Sequence, residues 1–383
     1  MLAAQKIART AADPMEDGRM ARPNGLFLAV FGVALLYTFL LSLELLTRSV
    51  SQLAGPLLTQ VMQATANPLV GVCIGLLVTA TLQSSSAVTS ILVALVSAGA
   101  ITLDQAIPMV MGANIGTTFT VLLVALSHIS SKKEFRKGAA AGLLHIFFNL
   151  GATLLLYPLE VSYHVLGHAS QACAQVFHGL FGTDTGGVGG FFSTLVAPIA
   201  DRLVQSSEGS WLWVLISFSM LFGCILLFRT VFRILWMRDY ERRLNDTVFS
   251  NPWLGLGWGA GLTAFIHSST VTTTLCVPLA ATGAVSPRKL VHFIIGANIG
   301  TTITALMAAV GRSETALALA FSHFLFNVIA GAIVFAFPPV SRGLVESTRM
   351  LSRVFVKQRI LALVFLVTFF FALPLAVLFV TAR

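Results

Sequence analysis

Long apolar stretches separated by short polar connections dominate the chain, and their lengths predict membrane-spanning helices. A helix needs about 20 apolar residues to cross the hydrocarbon core of a bilayer. Seven stretches meet this length, namely residues 25–46, 103–128, 139–159, 211–233, 288–310, 315–337 and 360–380. The predicted fold class is therefore an all-α polytopic membrane protein with about seven spans.

Two further apolar stretches, residues 67–100 and 251–284, are too short for a pair of complete spans. Neither contains Asp, Glu, Lys or Arg, yet each is interrupted near its middle by a polar cluster, Gln83–Ser86 in the first and His267–Thr270 in the second. Two spans with a turn would need about 40 apolar residues. Each stretch is therefore predicted to be a re-entrant helical hairpin, whose break is tolerated only if protein or a wet cavity surrounds it.

The two halves of the sequence repeat each other without gaps. The dipeptide at residues 67–68 recurs at 251–252, and the seven residues Gly112–Thr118 recur unchanged as Gly296–Thr302, in both cases 184 positions later. A polar repeat of this length at a constant offset indicates internal duplication.

Basic residues in the connections predict the orientation of the repeats. They concentrate in residues 132–137, 238–243 and 342–359, which the positive-inside rule places in the cytoplasm. The first hairpin then enters from outside and the second from inside, so the repeats are inverted, as in many secondary transporters. The predicted organisation is a mobile cytoplasmic tail (1–24), a first repeat (25–159) with its hairpin (67–100), an extracytoplasmic linker (160–210), a second inverted repeat (211–338) with its hairpin (251–284), and a basic loop with the last span (339–383).

Composition supports this assignment and excludes other classes. Charged residues make up only 10% of the 383 residues and hydrophobic ones 56%, with a mean hydropathy of +0.87. A soluble enzyme or a nucleic-acid-binding module does not have this composition. The net charge of +9 comes from the cytoplasmic connections, so the partner it indicates is the lipid bilayer. We expect a bacterial inner (plasma) membrane, with the N-terminus in the cytoplasm.

The polar cluster of each hairpin has the chemistry of an oxyanion site. A Ser or Thr before an apolar run is an N-cap signal, and the helix that follows presents unpaired N–H groups and the positive end of its dipole. Two such ends from inverted hairpins would enclose one ligand without Lys or Arg. The candidate anion-binding residues are Ser84, Ser85, Ser86, Ser268, Ser269 and Thr270.

The absence of fixed charge in both hairpins indicates a co-transported cation. Burying an unpaired anion is costly, so compensating charge would arrive with the substrate. Hydroxyl, amide and carbonyl oxygens suit Na⁺, and the hypothesis is obligatory symport of anion and Na⁺. The candidate sodium-binding residues are Thr79, Gln83, Asn114, Thr117, Thr118, Thr263, His267, Asn298, Thr301 and Thr302.

Simpler roles compete with these assignments. Hydroxyls in membrane helices often bond back to a carbonyl of their own helix, and the small residues of Gly112–Thr118 permit close helix packing. Two His and Asn pairs, each spaced four residues apart, favour hydrogen bonds between helices over direct ligation, and are candidates for a supporting role around the site. These are His145 with Asn149 and His323 with Asn327.

With both motifs present in two copies, the sequence resembles the type II sodium-phosphate cotransporters and their bacterial relatives. The resemblance covers residues 67–158 and 251–337. It implies Na⁺-driven uptake of inorganic phosphate by alternating access, with the serines of both clusters at the phosphate site, and with Na⁺ as a transported ion but no cofactor. The oligomeric state is left open, a homo-oligomer included.

One departure from the family leaves a second function open. His267 stands where the family usually has Gln, and an imidazole can change its charge between pH 5 and 8. The alternative is therefore a proton-coupled or pH-sensitive transporter of another small oxyanion. A passive channel and an intramembrane hydrolase are remoter alternatives. The hydrolase would need a nucleophile elbow, and the sequence contains no G-x-S-x-G.

Overall fold

The computed structural model describes residues 25–52, 65–181, 188–205, 211–236 and 247–381. The predicted tail, residues 1–24, lies outside these ranges. The chain divides into two units, Met1–Tyr37 and Thr38–Arg383. The described part of the first unit is the beginning of the first helix, and every contact discussed below lies within the second unit.

The described residues form helices joined by short turns, and no strand occurs among them. A 3₁₀ turn, Leu126–His128, and a π turn, Thr368–Ala372, also occur. In chain order the α-helices are α1 (Gly25–Gln52), α2 (Pro68–Leu82), α3 (Ser85–Ser97), α4 (Leu103–Ala125), α5 (Lys132–Tyr163), α6 (Val165–Phe181), α7 (Val188–Gln205), α8 (Trp211–Trp236), α9 (Pro252–Ile266), α10 (Ser269–Thr274), α11 (Cys276–Thr282), α12 (Pro287–Ala309), α13 (Glu314–Ala336), α14 (Pro338–Lys357), α15 (Arg359–Val367) and α16 (Leu373–Thr381).

Six segments of the described chain are long and apolar enough to cross a membrane, which confirms an all-α polytopic membrane protein. The seventh predicted span, residues 211–233, falls on α8, whose apolar segment Trp211–Cys224 is shorter than a span. The six are Val30–Val50, Leu103–His128, Lys132–Tyr163, Pro287–Ala309, Glu314–Ala336 and Arg359–Thr381.

Each predicted hairpin contains a helix break at its polar cluster. Helix α2 ends where Gln83 adopts a left-handed conformation (φ 53°), and the extended Ser84 starts α3. His267 (φ 57°) and Ser268 repeat this geometry between α9 and α10. The break therefore follows from local chemistry, because a left-handed residue ends one helix and a serine N-cap begins the next.

The helices of the two halves match at the offset of the sequence repeat. Adding 184 to the bounds of α2 and α4 gives the bounds of α9 and α12. The match ends in the second part of the hairpin, where α3 is continuous but its counterpart is divided at Leu275 into α10 and α11. Pro278 accounts for the division, because it has no N–H to donate to the preceding turn.

Glycines bring each broken helix into backbone contact with the long helix of its own half. A methyl group on Gly75 of α2 would overlap the carbonyl oxygen of Met109 in α4, and one on Gly259 of α9 would overlap that of Phe293 in α12. The long helices contribute Gly112 and its counterpart at 296 in the same way. Only glycine permits this approach, so the hairpins are anchored at fixed depth along α4 and α12.

An ionic cluster around the buried Arg312 fixes α1 to the turn between α12 and α13. The guanidinium of Arg312 donates to the Thr47 hydroxyl and lies 3.6 Å from the Glu44 carboxylate. Arg48 pairs with the same carboxylate at 2.7 Å and also with Asp201 of α7. The two cations and two anions balance, and the Glu44 carboxylate compensates the charge of the buried Arg312 guanidinium.

The predicted basic loop at the start of residues 339–383 is wrong, because that segment is helix α14. Its basic residues suggested a connection, but its apolar and small residues recur at helical spacing. Val345, Thr348, Ser352 and Phe355 are buried on one face, and Arg342 and Arg353 are exposed. An amphipathic helix of this kind needs a protein or interfacial surface for one side only.

The segment predicted as linker, residues 160–210, is largely helical where it is described. Helix α5 continues past the expected end at 159 to Tyr163, and α6 and α7 follow. Glu160 explains the turn after α5, because its carboxylate accepts hydrogen bonds from the N–H groups of Leu166 (2.6 Å) and Gly167 (3.1 Å) at the start of α6. Phe177 of α6 packs against Phe321 of α13.

Substituting Gly259 by Ala should destabilise the fold. The added methyl group overlaps the Phe293 carbonyl, and overpacking of this kind costs about 1–3 kcal/mol. Thermal unfolding of the detergent-solubilised protein measures the loss. Gly257→Ala is the matched control, because Gly257 lies in the same helix with nothing within 4 Å of the added methyl. Equal unfolding temperatures for the two variants would contradict the close approach.

Candidate functional site

The two helix breaks meet each other in the folded chain. The hydroxyl of Ser86 donates to the carbonyl oxygen of His267 at 3.0 Å, across 181 residues of sequence. The serines and the threonine of both polar clusters are buried. These buried residues are Ser84, Ser85, Ser86, Ser268, Ser269 and Thr270.

Two of these hydroxyls fix the breaks. Ser84 accepts a hydrogen bond from the N–H of Ala87 at 3.3 Å, and Ser268 accepts one from Val271 at 3.4 Å. They act as N-caps of the helices that follow. The first turn of α3 leaves the N–H groups of Ser85 and Ser86 without partners inside the helix. Its dipole places partial positive charge at the same point.

Charged side chains are absent from both hairpins, residues 67–100 and 251–284. Within the part of the chain that the structure describes, no group of three or more His, Cys, Asp or Glu could hold a metal ion. A cation near the breaks would therefore be coordinated by hydroxyl, amide and backbone carbonyl oxygens. These are the ligands that a hard monovalent cation accepts.

Thr79 and Thr263 occupy equivalent positions and carry unsatisfied hydroxyls. Both residues are fully buried, and neither hydroxyl has a hydrogen-bond partner among the described residues. Their carbonyl oxygens accept the N–H of the left-handed residues 83 and 267, each at 2.8 Å. A buried polar group without a partner costs about 1–3 kcal/mol. The two hydroxyls, one beside each break, therefore lack a bond that a polar ligand could supply.

Four other threonines bond to their own helices. Thr117 and Thr301 donate to carbonyls four residues earlier, both at 2.9 Å. Thr118 and Thr302 donate to carbonyls three residues earlier, at 2.7 and 2.6 Å. These bonds to carbonyls of the same helix use the hydroxyl protons of all four threonines. Their oxygen lone pairs stay available to a cation.

Two crossed hydrogen bonds join the halves below the breaks. Nε2 of His145 lies 2.8 Å from Oδ1 of Asn298, and Nε2 of His323 lies 3.3 Å from Oδ1 of Asn114. An amide oxygen only accepts, so Nε2 of each imidazole is the donor. Each histidine therefore bonds the asparagine of the opposite half, and all four side chains are buried.

The two crossed bonds differ in what surrounds them. Nδ2 of Asn298 donates to Oδ1 of Asn149 at 3.1 Å. The equivalent Asn114 donates instead to the Val110 carbonyl of its own helix at 3.1 Å, and Oδ1 of Asn327 has no partner among the described residues. The same residue types thus form a closed amide bridge between Asn298 and Asn149 and an open arrangement at Asn114 and Asn327.

Gln83 and His267 hold equivalent backbone positions but differ in their side chains. Gln83 is exposed and His267 is half-buried, with Nδ1 of its imidazole 3.2 Å from the Thr304 hydroxyl. The structure therefore does not bury Gln83 with the other candidates. Sequence reasoning missed Thr304, although Thr120 at the same offset of 184 marks it as part of the repeat.

Comparisons with known proteins identify a family for this chain. The family described as Na+/Pi-cotransporter matches residues 38–183 and 219–345. Similar proteins are sodium-dependent phosphate transport protein 2B of Homo sapiens, 26% identical over 89% of this chain and 63% of that protein, and transport protein 2A of Mus musculus, 26% identical over 89% of this chain and 66% of that protein. The chain spans slightly less than two thirds of these relatives' length. No solved structure matches. The matched family consists of cotransporters, not enzymes.

Replacing Asn298 by Ala should destabilise the protein more than replacing Asn114. The first change leaves the His145 N–H and the Asn149 carbonyl oxygen unpaired, at about 1–3 kcal/mol for each such group. Between helices, replacing Asn114 removes only the longer hydrogen bond to His323. It takes no partner from Asn327, because Oδ1 of Asn327 already lacks one. Unfolding of both solubilised variants measures the difference, and an equal or reversed order would contradict the asymmetry.

Proposed function

We propose that this chain, which belongs to the Na+/Pi-cotransporter family, carries inorganic phosphate across a membrane together with Na⁺. The observation that carries the proposal is the contact between the two uncharged helix breaks, where Ser86 bonds the carbonyl of His267 within buried hydroxyls. Such a site can solvate an oxyanion by neutral dipoles but cannot neutralise its charge.

Phosphate is assigned to the space at the two serine clusters. Phosphate oxygens accept hydrogen bonds from hydroxyls and from N–H groups at the start of a helix. Helix α3 offers both at Ser85 and an N–H group at Ser86, whose hydroxyl already donates to the His267 carbonyl. In the second half, Ser269 and Thr270 supply the equivalent hydroxyls. Ser84 and Ser268 position these groups as N-caps, so their contribution is to hold the breaks open.

Na⁺ is assigned to the part of each helix break next to its unsatisfied threonine hydroxyl. Thr79 and Thr263 each combine a free hydroxyl with burial, and a cation would supply the missing partner. Thr79 lies against Gly116 of α4, and Thr263 lies against Gly300 of α12. Each of these glycines belongs to a Gly-Ala-Asn-Ile-Gly-Thr-Thr segment, whose side-chain oxygens could complete the coordination. Because the phosphate has no cationic side chain, its charge would be balanced by these ions.

Alternating access through inverted repeats is the mechanism we favour. The closed bridge of Asn298 with Asn149 and the open arrangement at Asn327 are two bonding states of one motif. We propose that they exchange when the transporter turns to the opposite side of the membrane. The exchange replaces one amide hydrogen bond by another, so the two states would differ little in free energy.

The proposed orientation follows the basic connections. Residues 132–137 and the basic face of α14 are assigned to the cytoplasmic side of a bacterial inner membrane, together with the N-terminus. The first break then opens from the outside and the second from the cytoplasm.

Phosphate uptake into proteoliposomes tests the proposed function. Uptake of radiolabelled phosphate should depend on an inward Na⁺ gradient and fall at least tenfold in Ser85→Ala and in Ser269→Ala, because each removes a donor to the anion. Ser219→Ala is the control, since its exposed hydroxyl only bonds the Leu215 carbonyl of its own helix. Full uptake with choline replacing Na⁺, or stronger competition by another oxyanion than by unlabelled phosphate, would contradict the proposal.

Removing the unsatisfied hydroxyls should weaken Na⁺ activation without weakening the fold. Thr79→Val and Thr263→Val keep the shape of the side chain, so the unfolding temperature should stay equal or rise. The Na⁺ concentration for half-maximal uptake should increase several-fold. Thr348→Val is the control, because this buried hydroxyl already donates to the Val345 carbonyl. Unchanged Na⁺ dependence in both variants would remove these residues from the cation site.

A further inference from the structure

A basic cavity lies apart from the helix breaks, where three helices meet. Its volume is about 280 Å³. It is bounded by the first turns of α5, the beginning of α12 at Pro287, and the last turns of α14. The lining residues are Arg136, Lys137, Ala140, Pro287, Arg349, Ser352 and Arg353.

The cavity carries an excess of positive charge. Four of its lining residues are cationic, and the only carboxylate within 4 Å of any of them in the described chain is that of Glu346, 3.5 Å from Arg349. Arg136, Lys137 and Arg353 therefore have no acidic partner among the described residues. Four cations around one small cavity repel each other, and an anion would relieve that repulsion.

Helix α14 places this charge at a membrane surface. It connects the candidate spans α13 and α15–α16, but is itself amphipathic and not a candidate span. Its buried face includes Val345 and Phe355, and its basic residues lie on the other side or at the cavity. Amphipathic helices with basic polar faces lie in the interface of anionic membranes.

The cavity also touches the second hairpin. Gly283, which ends α11 in a left-handed conformation (φ 87°), lies so close to Lys137 that an added methyl group would collide with Nζ. The next residue of α5, Gly138, lies against Val277 and Ala281 of α11. An occupant that draws Lys137 into the cavity would therefore act on the end of the hairpin.

We propose that this cavity binds a phosphate group, separately from the transport site. Arg and Lys are the side chains that bind phosphate oxygens with the greatest geometric and electrostatic advantage. The cavity has room for one phosphate group with its ester substituent, and it opens at the level of an interfacial helix. The group belongs either to the headgroup of an acidic phospholipid or to free phosphate, and the contact with Lys137 couples its binding to the second hairpin.

Two probes distinguish the sources of the phosphate group. Retention of dioleoylphosphatidylglycerol from mixed phosphatidylcholine nanodiscs, followed by native mass spectrometry, measures lipid binding. Calorimetric titration with inorganic phosphate in Na⁺-free choline buffer, on Ser85→Ala/Ser269→Ala protein, measures free phosphate away from the proposed transport site. Each cation removed should weaken binding about fivefold. The double variant Arg136→Gln/Arg353→Gln should therefore weaken binding of one probe about 25-fold.

A matched pair of controls keeps the test specific. Lys133→Gln/Lys357→Gln removes two exposed cations from the same helices outside the cavity and should change binding less than twofold. Arg136→Lys/Arg353→Lys retains the charge and should restore most of the binding. Loss for the lipid alone assigns a headgroup, and loss for phosphate alone assigns the free ion. The proposal is overturned if the cavity and control variants bind both probes equally.

Discussion

The backbone contact between each broken helix and the long helix of its own half determines where the polar groups of this membrane protein can lie. Gly75 and Gly259 permit that contact because any side chain would overlap the facing carbonyl. The long helices also have glycines at the contact. A methyl group on Gly116, for example, would lie only 2.8 Å from the Thr79 side chain. The breaks are thus held against the protein, and irregular backbone at membrane depth is tolerated only where protein or a wet cavity surrounds it.

The positions of the breaks could be predicted because their causes are local. An Asn followed by Pro starts each first helix, and a serine before an apolar run starts the next, so the sequence around Ser84 and Ser268 carries the capping chemistry itself. The partners across the halves could not be predicted. The bond between His145 and Asn298 spans 153 residues, and only the packing of α5 against α12 decides that it forms.

The number of basic residues in α14 predicts a loop, whereas the spacing of its buried residues predicts a helix. Arg342, Arg349 and Arg353 suggest a connection. The buried residues of the same segment, however, recur at intervals of three, four and three residues, which is a helical period. They are Val345, Thr348, Ser352 and Phe355. Charge predicts the side of the membrane for such a segment, and periodicity predicts its structure. The basic cavity results from both, since only a helix brings Arg349 and Arg353 to one surface beside Arg136.

The chain separates its two kinds of polar surface, and that separation has a physical reason. Fixed cations at the helix breaks would hold a phosphate ion tightly in every conformation, since their attraction grows as water is excluded. At the proposed transport site, neutral hydroxyls and N–H groups would bind phosphate only while mobile cations balance its charge, so release would follow when those ions leave. The cations of the chain are instead concentrated at the surface, where α5 and α14 meet and where retaining an anion would not obstruct transport.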